Sequence, residues 1–379
     1  MFTETKKFLD SFLDMGVPGV DIAVFKDGKC ILRHTNGYSD LENKIKMNGK
    51  ERYNIYSCSK MITCVAMMQL WEKGLFSLED ELSLYMPEFK CMTVKTDDGV
   101  KEAENPILIK HLFEMTAGFS YNTQSPELNR CREETGGRCP TRETMKYLAK
   151  EPLQFEPGTK WQYSLCHDVL AALVEVLSGE KFEDYVKKNI FDVLGMENST
   201  FMLSESELDT VSEQYAVEYG KVVNIGKNIA VYKLGSEYAS GGAGGISTVD
   251  DYMKFLEALR TGSILKPETV ELMRTPRLDG GRLDTYSKKS THNYGLGAKC
   301  YGGIGKNYDF GWGGAAGAYF AIDFENNISM YMATHILSSP AAGIRSLIYR
   351  FVRAELMDKD DFKSIREELK DLYDYNLTY

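Results

Sequence analysis

Hydrophobic positions recur with a period of two near both ends of the chain and with a helical period between them. Residues 20–38, VDIAVFKDGKCILRHTNGY, hold two strand-like runs around Asp27-Gly28, a residue pair suited to a two-residue hairpin turn. Residues 316–323 (AGAYFAID) and 328–336 (ISMYMATHI) flank Glu325, Asn326 and Asn327 and predict a second hairpin. Residues 53–74 read as a helix that is apolar on nearly every side, which predicts burial, with Gly74 as its stop. Ser77 and Asp80 have capping-box spacing and predict a further short helix. From 86 to 205 strand signals thin out, and helical spacing appears in IKHLFEMTAG, TRETMKYLAK and HDVLAALVEVLSG. A glycine-rich stretch, SEYASGGAGGISTVD, precedes a helix that Thr248 and Asp251 cap. Residues 343–357 form a last amphipathic pattern, and the charged tail from Asp358 predicts a solvated helix or frayed end.

The order of strands, helices, strands and helix predicts an α+β fold: an antiparallel sheet flanked by helices and interrupted by an inserted all-helical lobe. Residues 1–85 plus 206–379 are expected to form the sheet domain, 86–205 the insertion, with a functional cleft between them.

The composition narrows the function. The 379 residues are 43% hydrophobic and 26% charged, an ordinary globular balance, and no run is long enough to span a membrane. A net charge of −10 argues against a nucleic-acid partner, because phosphate backbones are held by clustered cations. The N-terminal segment lacks the apolar core of a signal peptide, so the expected location is cytoplasmic. Eight cysteines without a C-x-x-C pair read as reduced thiols, with pairing of Cys131 and Cys139 left open. Five scattered histidines predict no metal site, and no cofactor is expected.

The buried helix carries one anomaly, Lys60 in its first turn. An unpaired ammonium is costly to bury, so it needs a partner or a route to solvent. Ser57 lies three residues earlier on the same helical face, an arrangement that suits a nucleophile and its activator and equally suits a capping serine with a snorkelling lysine. Spacing alone does not decide, since Ser178 with Lys181 and Ser263 with Lys266 repeat it. Only Ser57 opens a buried helix after a strand-like run. Cys58 is an alternative nucleophile, but it points about 100° away and has no obvious histidine partner.

Six blocks in order, IYSCSKMIT, HLFEMTAGFSY, FEPGTKWQYSLCHDVLAALVEVLSG, GGAGGISTVDDYMKF, YGLG and FGWGGAAGAYFAID, resemble the serine β-lactamase and penicillin-binding-protein superfamily. The likeness is to its class C-like branch, which includes family VIII carboxylesterases and related acyltransferases. It implies that Ser57 is the nucleophile, Lys60 its lysine and Tyr163 the tyrosine base. It further implies an oxyanion hole of the Ser57 and Ala315 N–H groups, with Trp312, Gly313 and Gly314 lining the cleft from an edge strand. Tyr121 and the loop 241–245 are cleft walls by family position.

Two departures bear on substrate. Class C β-lactamases carry Tyr-x-Asn and Lys-Thr-Gly where this chain has Tyr163-Ser164-Leu165 and Trp312-Gly313-Gly314. Leu165 and Trp312 thus replace an amide grip and a carboxylate grip, which predicts a more apolar cleft. The resemblance then implies a serine hydrolase acting through an acyl-enzyme on small or medium acyl esters, with possible transesterification. A D-alanyl-D-alanine carboxypeptidase or weak β-lactamase is the alternative chemistry. A non-catalytic binding protein is the alternative class. The expected partner is a small ester or amide, and oligomeric state is left open.

Overall fold

The computed structural model describes residues 2–227, 232–287, 291–303 and 308–377. Its central sheet contains β1 (Gly19–Lys26), β2 (Lys29–Asp40), β3 (Ile45–Lys46), β4 (His292–Tyr294), β5 (Lys299–Tyr301), β6 (Phe310–Gly313), β7 (Tyr319–Asp323) and β8 (Ile328–Ala333). They lie in the order β4-β5-β6-β7-β8-β1-β2-β3, every neighbouring pair antiparallel. The sheet therefore closes between its first strand and its last, with Asp21 opposite Ala333 and Lys26 opposite Ile328.

The β1–β2 turn follows from its residues. Asp27 and Gly28 have φ of 51° and 77°, the left-handed pair that a two-residue turn between Lys26 and Lys29 requires. The β7–β8 turn closes through Asn327 at φ 50°, with Asn326 N–H donating to Asp323 Oδ1 at 2.9 Å.

Helices cover both faces: α1 (Thr3–Asp14), α2 (Ser59–Glu72), α3 (Cys166–Ser178), α4 (Val249–Thr261), α5 (Leu347–Met357) and α6 (Asp361–Leu377). Val20, Ile22, Val24, Met330 and Met332 pack with Phe8 and Phe12 of α1 and Ile348 and Val352 of α5. The alternate residues Ala23, Phe320, Ile322 and Tyr331 face α2 and α4. That two-sided burial explains why these strands read as apolar runs. The helical spacing of Phe8, Leu9 and Phe12 puts the buried stripe of α1 on this sheet face. Phe8 stacks on Phe351 at 4.4 Å.

The second cluster continues from α2 into the insertion through Leu112, Met145, Leu170 and Leu173. Helix α2 is enclosed on all sides, the physical reason it has no polar face. The insertion is not wholly helical: Thr93–Thr96 pairs with Gly99–Glu102 as a hairpin, which corrects the all-helical expectation. Ser77 and Asp80 also form a turn rather than a helix start. Ser77 N–H donates to Asp80 Oδ2 at 2.7 Å, and a bridge between Glu81 and Leu108 draws the chain into extended geometry. The tail is helical and partly anchored, since Ile365 is buried and Asp361 pairs with Arg350 at 2.8 Å.

All eight cysteines are free thiols, Cys131 and Cys139 among them. Among the described residues no helix is long and apolar enough to cross a membrane.

Candidate active site

The chain approaches α2 through the short strand Tyr53–Asn54, which pairs with Ile246–Ser247. Tyr56 then takes φ 46°, a left-handed conformation that is costly for an aromatic residue and is held by full burial. This kink starts the 3-10 turn Tyr56–Cys58 and presents Ser57 to a cavity of about 750 Å³.

Lys60 is 0% exposed. Its Nζ donates to Gly242 O at 2.7 Å and to Ser57 Oγ at 3.3 Å. The same ammonium lies 4.5 Å from the Tyr163 ring centroid and 5.4 Å from that of Tyr121. A carbonyl, a hydroxyl and two aromatic faces thus replace water around the charge. From the other side Tyr163 donates its hydroxyl to Ser57 Oγ at 2.5 Å. The structure therefore brings Ser57, Lys60 and Tyr163 into one hydrogen-bonded cluster.

The glycine-rich loop is seated on the first turns of α2. Thr63 donates to Gly241 O at 2.8 Å, and Gly245 N–H donates to Ser59 Oγ at 2.9 Å. A Cβ on Gly241 would lie 2.5 Å from His167 O of α3, so the chain passes between two helices at Gly241 only without a side chain. Asp168, fully buried on α3, anchors it from behind, accepting from Ser240 Oγ at 2.6 Å and Tyr238 OH at 2.9 Å. Burial pushes the Asp168 carboxyl above its usual range, with those hydroxyls and the Lys60 charge pulling it back. Nothing in the spacing of Asp168 marks this anchoring.

Tyr163 sits in an extended segment just before α3. Gln162 N–H donates to Met115 O at 3.0 Å, Leu165 N–H to Ser120 O at 3.2 Å, and Trp161 N–H to Thr285 Oγ1 at 2.8 Å. Its ring is held between Tyr121, stacked at 5.2 Å, and Trp312, stacked at 5.9 Å. Trp161 and Tyr294 extend the aromatic wall, and Tyr232 closes edge-on against Tyr121 at 5.4 Å. Burial raises the Tyr121 hydroxyl well above its ordinary pKa, so it stays protonated.

Strand β6 delivers Trp312 and Gly313, and the turn after it delivers Gly314 and Ala315. A Cβ on Gly314 would lie 2.4 Å from Ile55 O, so backbone meets backbone just before Ser57. Ala315 lines the cavity with Ser57, and among the described residues its N–H has no acceptor. The edge-strand expectation is corrected: β6 lies between β5 and β7. Its pairing with β5 is confined to Gly311 opposite Lys299, which leaves Trp312 and Gly313 open toward the cavity.

Leu165 is placed differently from the expectation. It is 2% exposed, belongs to the main apolar core and does not line the cavity, so it is a packing residue rather than a substrate contact. Gly314 likewise acts through close packing and is not a lining residue. Cys58 is buried, and desolvation pushes its thiol up to about 12, which leaves no thiolate for attack at neutral pH. The cavity also contains polar residues that the motifs do not mark, His292, Lys299, Arg345 and Ser346. Among the described residues no group of His, Cys, Asp and Glu is arranged to hold a metal.

The chain is 28% identical over 274 residues to esterase EstB of Burkholderia gladioli, covering 66% of this chain and 68% of that protein. It is 26% identical to ML-236A carboxylate methylbutanoyltransferase of Penicillium citrinum, covering 63% of this chain and 60% of that protein. Among solved structures it resembles EstCE1, a hydrolase with promiscuous acyltransferase activity, with TM-score 0.77 and 25% identity. That superposition covers 91% of this chain and 96% of the other. The Beta-lactamase family signature spans residues 5–353, and the protein belongs to the beta-lactamase family.

Proposed function

We propose that the protein is a serine carboxylesterase, with acyl transfer to alcohols as a related outcome, acting on small to medium acyl esters through an acyl-enzyme. The observation that carries this reading is the single hydroxyl Ser57 Oγ within reach of both Tyr163 OH, at 2.5 Å, and Lys60 Nζ, at 3.3 Å, in an aromatic cavity. In the proposed cycle Ser57 Oγ attacks the ester carbonyl carbon. Its proton passes to the Tyr163 and Lys60 pair, which acts as the base, and then to the departing alkoxide. The N–H groups of Ser57 and Ala315 stabilise the tetrahedral oxyanion. Water, or a second alcohol, attacks the acyl-enzyme and reverses the proton path. The esterase and acyltransferase relatives support this chemistry, and Trp312 in place of a lysine disfavours a β-lactam.

Two measurements test the reading. A fluorophosphonate probe is expected to add one label, and peptide mapping to place it on Ser57. Parallel assays with a short-chain aryl ester and a cephalosporin are expected to favour the ester. Preference for the cephalosporin would replace the esterase by a β-lactamase or peptidase, and labelling elsewhere would refute the mechanism.

The seat of Gly314 gives a sharper expectation. Gly314→Ala forces a methyl against Ile55 O and moves Ala315 away from Ser57, so kcat for the aryl ester is expected to fall about 10²-fold, the scale for one lost oxyanion donor. The overpacking itself is expected to cost about 1–3 kcal/mol in a denaturant melt. Unchanged kcat in a folded variant would remove Ala315 from the oxyanion hole.

A further inference from the structure

Lys60 is wholly buried, and the groups that touch it offer a carbonyl, a hydroxyl and aromatic faces but no anion. An ammonium buried without a counter-charge is costly, so a carboxylate near that contact layer matters to it. Asp168 is such a carboxylate. A Cβ on Gly242 would lie 2.5 Å from Asp168 Oδ2 and 3.5 Å from Lys60 Nζ. The two groups thus face each other across a bare glycine, on the scale of about 4–6 Å at which an opposite charge favours the charged form.

The surroundings of Asp168 suit an anion. Burial raises its carboxyl, but the Ser240 and Tyr238 hydroxyls, the Lys60 charge and the Gly242 N–H all hold it toward the carboxylate. Its Oδ2 bonds no side chain and is turned to Gly242, whose own carbonyl accepts from Lys60 Nζ at 2.7 Å. The remaining ionisable groups around Lys60 bring no compensating charge. Desolvation pushes His167 well below its ordinary range and leaves it neutral. It pushes Cys58 up to about 12, Cys166 up to about 11 and Cys64 up as well, and Tyr121 stays protonated. Of the groups that the Lys60 charge reaches among the described residues, Cys58, Cys64, Cys166, His167 and Asp168, only Asp168 is a carboxylate.

We propose that Asp168 is a positioning residue for proton transfer: from behind Gly242 its carboxylate is the counter-charge of Lys60 and sets how tightly the Lys60 and Tyr163 pair holds its proton. This rests on the esterase reading above and gives the reaction a residue that does not line the cavity.

Asp168→Asn retains an oxygen for Ser240 and Tyr238 and removes the charge. In the pH profile of kcat/KM for the short-chain aryl ester, the acid limb is expected to move about one pH unit or more lower. The sign follows because the protonated pair has lost its counter-charge and releases its proton more readily. The weaker base is expected to lower kcat about tenfold or more with KM unchanged. An unmoved acid limb in folded Asp168→Asn, or a loss confined to KM, overturns the proposal.

Stability reads the same pair without turnover. Lys60→Met and Asp168→Asn are each expected to lower the denaturation midpoint. Their double variant is expected to lose less than the two singles together, because it leaves neither charge buried alone. If Asp168→Asn alone does not fold, adding Lys60→Met is expected to restore folding. Additive losses, or a double variant that stays unfolded, overturn the pairing. Coupled stabilities in a protein without Ser57-dependent hydrolysis would keep the pairing and discard the esterase reading.

Discussion

Ser57→Ala is expected to lower aryl-ester turnover by about 10⁴-fold or more and to abolish fluorophosphonate labelling. The magnitude follows from the absence of a substitute nucleophile in the cluster. Cys58, the adjacent thiol, is buried and protonated, and Tyr163 and Lys60 both direct their polar atoms at Ser57 Oγ. Removing one oxygen therefore disconnects the whole arrangement while leaving the fold intact, because Ser57 lines the cavity rather than the core. A residual rate near wild type, with a stopped assay and mass spectrometry in agreement, would mean either a different nucleophile or a binding protein with adventitious hydrolysis.

The second large effect concerns the pair proposed to move the proton. Tyr163→Phe and Lys60→Met are each expected to reduce kcat by about 10²–10⁴-fold, the range of general acid–base catalysis. Their double variant is expected to be little worse than the poorer single, because the two groups act on one oxygen. Their stabilities should separate them. Tyr163→Phe retains the stacks on Tyr121 and Trp312, whereas Lys60→Met leaves the Gly242 carbonyl without its 2.7 Å donor. An unsatisfied buried carbonyl costs about 1–3 kcal/mol, so only Lys60→Met is expected to shift the denaturation midpoint substantially. Full multiplicative losses in the double variant would show that tyrosine and lysine act independently.

Features set by neighbouring residues were legible from the chain itself. Asp27-Gly28 specified a turn because the two φ values are a local demand, and the alternating runs around it specified strands. The cluster of Ser57, Lys60 and Tyr163 was legible through motif order, although the spacing of Ser57 and Lys60 recurs twice elsewhere. The reading failed where the answer depends on which way a side chain faces in three dimensions. Leu165 occupies a motif position but turns into the core, so its apolarity describes packing and not the cleft. Asp168 gave no signal, because its place behind Gly242, facing Lys60, is a long-range fact. The strain at Tyr56 is similarly invisible, since burial rather than residue type holds its φ of 46°.

The pairing of β1 with β8 sets the timing of assembly during synthesis. Asp21 emerges early and has no partner on that side until Ala333 is made, on the order of tens of seconds later at ordinary elongation rates. Ser57 is likewise complete long before Ala315 exists. A nascent chain therefore carries the proposed nucleophile without its proposed oxyanion donor, and on that reading chemical competence arrives only when the last strands dock. Such a distant closure also predicts slow folding by contact order, with β1 exposed as an open edge in the interval and dependent on protection from aggregation.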